Sequence, residues 1–154
     1  MTHFKLTDES KVVAGVTVYR LQLTKDCKHG KKGDLGGWVQ SINNIRDNAW
    51  VSNDAIVYGN ALISGDAIVS GNAQVYENAK VYGKAQIYSI AKVYGNSNVY
   101  ENAKVAGNAK VYENAKVYGK AQVYNQSKVY GNAQVYGNAV VSGNTEVSGN
   151  EKVS

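Results

Sequence analysis

Three side chains in this sequence could carry conventional chemistry, His3, Cys27 and His29, and all lie near the N-terminus. A histidine can act as a general base near neutral pH, and an imidazole beside a thiolate can begin a metal site. Cys27 and His29 supply two ligands where a structural zinc asks for four, so no metal is expected. His29, in a Lys-rich turn, reads as a solvated side chain, and no Ser-His-Asp arrangement can be assembled. The glycines recur at repeat spacing and form no phosphate loop, so no cofactor is expected either. A single cysteine excludes an internal disulfide framework.

The elements that would have to position any site are far more legible. The composition is lopsided, with 16 Gly, 12 Tyr and no Pro, which points to repetition. From Val39 an aliphatic residue recurs every six positions through Ile45, Val51, Val57 and Ile63 to Val153. Two residues before each stands a small residue, usually Ala, giving the unit Asn-Ala-Lys-Val-Tyr-Gly. A helix would scatter Ala and Val around its surface, whereas a strand puts both on one face and Lys and Tyr on the other. Gly-Asn supplies the corner. Each hexad is therefore a short strand plus a bend, and stacked coils of such units bury a continuous core.

This series resembles the hexapeptide repeat of left-handed parallel β-helices, in which three hexads make a triangular coil of 18 residues. The resemblance implies an all-β protein with about six coils over 39–154, capped by residues 1–38. Column patterns at that spacing agree: Asn60, Asn78, Asn96, Asn114, Asn132 and Asn150 form one, and Tyr58, Tyr76, Tyr94, Tyr112 and Tyr130 another. Residues 73–85 and 109–121, 36 apart, differ only at Gln74 versus Lys110. In the cap, Lys11–Leu23 reads as a hairpin about Ala14-Gly15. A polar turn follows from Lys25 to Gly37. Tyr19-Arg20-Leu21, then Gly33-Asp34-Leu35-Gly36-Gly37-Trp38 and Asn48-Ala49-Trp50-Val51, resemble the YdcK-type proteins of bacteria and their phages. Those proteins are labelled transferases on the strength of the repeat, and the resemblance brings no functional residues with it.

The net charge of +5 is spread as +3 over 1–47, −2 over 48–73 and +4 over 74–154. Charge of this size bears on solubility and loose attraction to polyanions, not on a dedicated nucleic-acid domain. No segment approaches the roughly 20 apolar residues of a membrane helix, and the N-terminus lacks a signal-peptide core, so a cytoplasmic protein is expected.

Two surfaces stand out. The outward residue before each aliphatic position runs Trp38, Asn44, Trp50, Ile56, Leu62 and Ile68, apolar at all but Asn44, and is then almost always polar. Something must cover the first two coils: the protein's own hairpin, or an oligomer or partner interface. Lys92, Lys110 and Lys128 stand beside Tyr94, Tyr112 and Tyr130, a candidate binding face for an anionic partner. The favoured reading of those rings is the plainer one, strand formers stacking on their neighbours, with Lys keeping the face soluble. The expected function is a non-catalytic structural or binding protein, a rigid platform for a protein or polyanion, self-associating as a dimer or trimer. The alternatives are an acyltransferase using acetyl-CoA, as the fold resemblance suggests, and a phage-encoded inhibitor or ligand sponge acting on a host factor.

Overall fold

A computed structural model describes residues 2–154 and contains three sheets wound into one parallel β-solenoid of about six coils. Strand β1 (Phe4–Val13) pairs antiparallel with β2 (Val16–Leu23), and β2 with β3 (Leu35–Val39). Eighteen two-residue strands follow, β4 (Trp50–Val51) through β21 (Lys152–Val153). Face one carries β3 and the strands ending at Val57, Val75, Val93, Val111, Val129 and Val147. Face two runs from Trp50–Val51 to Val140–Val141, and face three from Leu62–Ile63 to Lys152–Val153. Every pairing within the coils joins a residue to the one 18 positions on, such as Val93 to Val111. The six-residue strand-and-corner unit thus makes three sides of a coil.

Strands stay two residues long because a corner interrupts each. Across it the Ala amide returns to a carbonyl three residues back, as Ala79 N–H does to Tyr76 at 3.3 Å. Between coils, Lys92 N–H donates to Ala109 O at 3.0 Å and Tyr94 N–H to Val111 O at 2.9 Å, so backbone groups near the core are paired. Ala and Val from 49 to 135 line the interior with essentially no exposure. Ser97 and Ser127 take two Ala positions; their hydroxyls donate to Tyr94 O at 2.8 Å and Tyr124 O at 2.7 Å, which satisfies them inside the core.

Each corner holds one residue in the left-handed region, and these residues stack in columns. On the column beside face one they run Gly59, Glu77, Gly95, Glu113, Gly131 and Gly149. A Cβ on Gly95 would sit 2.7 Å from Glu113 N and one on Gly131 2.8 Å from Gly149 N, so a side chain added there crowds the backbone one coil on, whatever residue it belongs to. Corner residues that carry side chains are never stacked on one another: Asp47, Asn53, Glu77, Ser89, Glu101, Glu113 and Asn125 each lie above a glycine 18 residues on. The acids also use that glycine. Asp47, Glu77, Glu101 and Glu113 accept hydrogen bonds from Gly65, Gly95, Gly119 and Gly131 N–H at 2.7–3.0 Å. Charged acceptors strengthen such bonds, so each acid latches one coil to the next.

The cap departs from the sequence expectation in three places. Its first strand begins at Phe4, well before Lys11, and the hairpin closes through Ala14 and Gly15, both at positive φ. Leu35-Gly36-Gly37 is strand, not turn, so the passage from cap to repeat lies within β3. A Cβ on Gly36 would fall 2.5 Å from Trp50 Cζ2, and one on Gly37 2.6 Å from Ala55 O; only glycine lets β3 lie this close. Finally, Asn44 points in, not out. A 3-10 turn at Ile42–Asn44, capped by Ser41, rotates it so that its amide donates to Ala61 O at 2.8 Å. Phe4, Leu21 and Leu23 close the upper end of the core.

Candidate binding faces

Face one brings together the six residues singled out as a binding face. Lys92, Lys110 and Lys128 occupy consecutive rungs of one ladder. Beside them Tyr58, Tyr76, Tyr94, Tyr112 and Tyr130 stack with ring centroids 4.9–5.1 Å apart and planes within 5°. Face three carries a second ladder, Tyr82, Tyr100, Tyr118 and Tyr136, at 4.9–5.3 Å. The rings spend their faces on one another, which leaves edges and hydroxyls for solvent. Burial is the main reason that Tyr94 and Tyr112 titrate above the ordinary phenol range, and it pushes Tyr76 up to about 12, neighbouring Tyr94 and Tyr58 adding to it. Tyr76, Tyr94 and Tyr112 are therefore neutral at physiological pH, and the outward charge in the neighbouring column comes from the lysines and Glu146. Lys128 pairs with Glu146 at 3.6 Å; Lys92 and Lys110 have no ion-pair partner among the described residues.

The apolar outward residues divide. Val18 packs on Trp38 and Ile56 outside face one, with Lys11 Nζ 4.4 Å from the Trp38 ring and the Arg20 guanidinium at 5.1 Å. The long hairpin thus covers that face from outside while its other side seals the core. On face two, Trp50 is covered by the 24–34 loop and the N-terminus: His29 stacks on it at 5.7 Å, His3 lies 5.8 Å away and Phe4 6.4 Å. Lys28 holds Asp66, fastening the loop to the next coil and keeping that carboxyl below its ordinary range. Leu62 and Ile68 remain half-buried, outside both covers.

Both histidines are part of this cover, so His29 is not the free side chain expected. His29 Nε2 lies 2.6 Å from Asn48 O, and His3 is buried with its Nε2 unpartnered. Burial, and then the nearby His29, lower the His3 pKa. A cavity of about 420 Å³ adjoins them, lined by His3, Lys25–His29 and Asn48. No cluster of three or more His, Cys, Asp or Glu suited to a metal occurs among the described residues. Nor is any described helix long and apolar enough to cross a membrane. The sequence reading overlooked a further groove of about 410 Å³ on face two, lined by Lys84, Gln86, Asn102, Lys104, Lys120 and Gln122. Its signal was available: these are outward positions at 18-residue spacing.

Three parallel sheets closed around an Ala/Val core, with laddered exteriors, define a β-solenoid repeat protein. Within that class, the family model described as the YdcK β-solenoid repeat matches residues 57–71, 61–77, 128–143 and 133–149, and the chain carries YdcK-type repeats. No curated protein matches the chain.

Proposed function

We propose that this protein is a non-catalytic binding platform, a rigid solenoid whose face-one lysines meet an anionic partner. The observation that carries this reading is the fixed Lys92–Lys110–Lys128 ladder, with two of three ammonium groups free of ion pairs and flanked by a stacked, neutral tyrosine column. Because backbone pairing fixes the rungs, little ordering is needed on binding, which favours affinity per contact. The acyl-transfer alternative gains nothing from the two histidines, which are occupied in holding the cap on Trp50. Retention on immobilised heparin tests the platform. The protein carrying Lys92→Gln, Lys110→Gln and Lys128→Gln should elute at clearly lower salt than the native one, with unchanged melting temperature. Equal elution of the two would refute the reading.

A further inference from the structure

Face two contains a break in its aromatic column, beside a groove lined by lysines. Its outward positions over three coils form a grid: Lys84, Gln86 and Tyr88; Asn102, Lys104 and Ala106; Lys120, Gln122 and Tyr124. Register is fixed by pairing of Gln86 with Lys104 and Lys104 with Gln122. Tyr88 N–H donates to Val105 O at 3.0 Å and Ala106 N–H to Val123 O at 2.9 Å, so Ala106 stands in the same column as the two tyrosines. The other two columns are filled with stacked rings, 4.9–5.3 Å from one to the next. Here one ring is missing. Tyr88 and Tyr124 are two coils, roughly 10 Å, apart and neither stacks on another aromatic among the described residues. Ala106 lies between them in the column and is buried, 7% exposed.

Charge accompanies the gap. Lys104 is the outward neighbour of Ala106, and with Lys84 and Lys120 it lines the 410 Å³ groove. None of the three forms an ion pair among the described residues. Glu101 accepts from Gly119 N–H at 2.7 Å, and Asp66, which feels the charge of Lys84, is held by Lys28. The patch is bounded, with Ile68 one coil above and Val140 one coil below. Walls of the same composition, Lys-Ala-Gln-x-Tyr, bracket a middle coil in which Lys is replaced by Asn, Gln by Lys and Tyr by Ala.

We propose that this site takes a nucleoside phosphate, its planar ring inserted between Tyr88 and Tyr124 over Ala106 and its phosphate oxygens on Lys104, Lys84 and Lys120. A planar ring would complete the column as a tyrosine does elsewhere, gaining two aromatic neighbours. A two-coil spacing between the rings, twice that of a stacked pair, and three cations suit a mononucleotide, not a strand.

Calorimetry at low salt with adenosine diphosphate tests this, with adenosine and inorganic pyrophosphate as separate probes. Saturable binding of one diphosphate per chain is expected, with each fragment weaker by about tenfold or more. Ala106→Tyr supplies the missing ring from the protein itself. It should abolish binding while leaving the melting temperature equal or higher. Tyr88→Leu, which removes one wall without filling the gap, and Lys104→Gln should each weaken binding about tenfold. Four results overturn the proposal: no saturable binding at millimolar diphosphate, pyrophosphate binding as tightly as the diphosphate, undiminished affinity in Ala106→Tyr or Tyr88→Leu, or affinity rising with the length of an oligothymidylate. The gap is read with the diphosphate and the face-one ladder with heparin, so either can fail alone.

Discussion

The cap junction and the regular coils solve the same problem, burying an apolar interior, by opposite means. In the coils one arrangement is used over and over: an alanine, a valine, an amide donating to a carbonyl one coil on. At the junction nearly every residue is used once. Gly36 admits the Trp50 ring, Asn44 turns inward to reach Ala61, and His3, His29 and Phe4 gather on Trp50. Repetition spreads stability over many equivalent contacts, while the junction concentrates it in a few that have no copies.

The comparison is broken most severely by a charge inside the coils. Val105→Asp should cost about 3–5 kcal/mol and unfold or aggregate the chain, since the carboxylate would be buried without a partner. Lys104→Asp, one residue away on the exposed side, should leave the melting temperature within a few degrees. Equal damage from both would show that the inward assignment is wrong.

Corner glycines give a graded test within the coils. Gly95→Ala should destabilise by about 2 kcal/mol or more, because the methyl meets Glu113 N in a left-handed conformation. Gly149→Ala has open space around its Cβ and should lose only the conformational cost, about 1 kcal/mol. Denaturant midpoints of the two variants check the order, and a larger loss at Gly149 would contradict the crowding argument.

The smallest effect belongs to the junction. His3 has a folded pKa below its ordinary value of 6.5, chiefly through burial. Above that value both folded and unfolded forms are neutral and nothing is gained or lost. As pH falls below it the unfolded chain takes up the proton first, so stability declines toward the folded pKa. Melting temperatures should therefore drop on mild acidification, and His3→Phe should flatten that drop; an unchanged slope in the variant would exclude His3 as its source.

What was legible in the sequence follows this same division. Val and Ala at a strict period expose the coils because any other register would put them in water. The Asn and Tyr columns agreed with the 18-residue coil, which the resemblance to hexapeptide-repeat helices supplied. The direction of Asn44 was not legible, since a single 3-10 turn overrides the alternation that places every later residue at that position. The start of β1 at Phe4 was hidden by its polar stretch Thr7–Ser10, half of a strand that faces solvent. Lys92, Tyr94 and their equivalents were placed on one face by counting alone. The gap at Ala106 was visible only as a break in a column, and its meaning needed the stacked columns beside it. The 36-residue near-duplication has a counterpart at the corners, where Gly95 separates Glu77 from Glu113.

That spacing rule also governs how such a chain can lengthen. Copying one coil in tandem stacks each corner residue on its own duplicate. For the turn with Gly59, Gly65 and Gly71 this repeats the stacked glycines already found at Gly65 and Gly83, but it sets Glu113 on a second glutamate and Asn125 on a second asparagine, stacks that no corner column here contains. A pair of coils copied together keeps glycine between them. Growth by gene duplication is thereby quantised, and in this protein the inheritable increment is two coils wherever a corner carries a side chain.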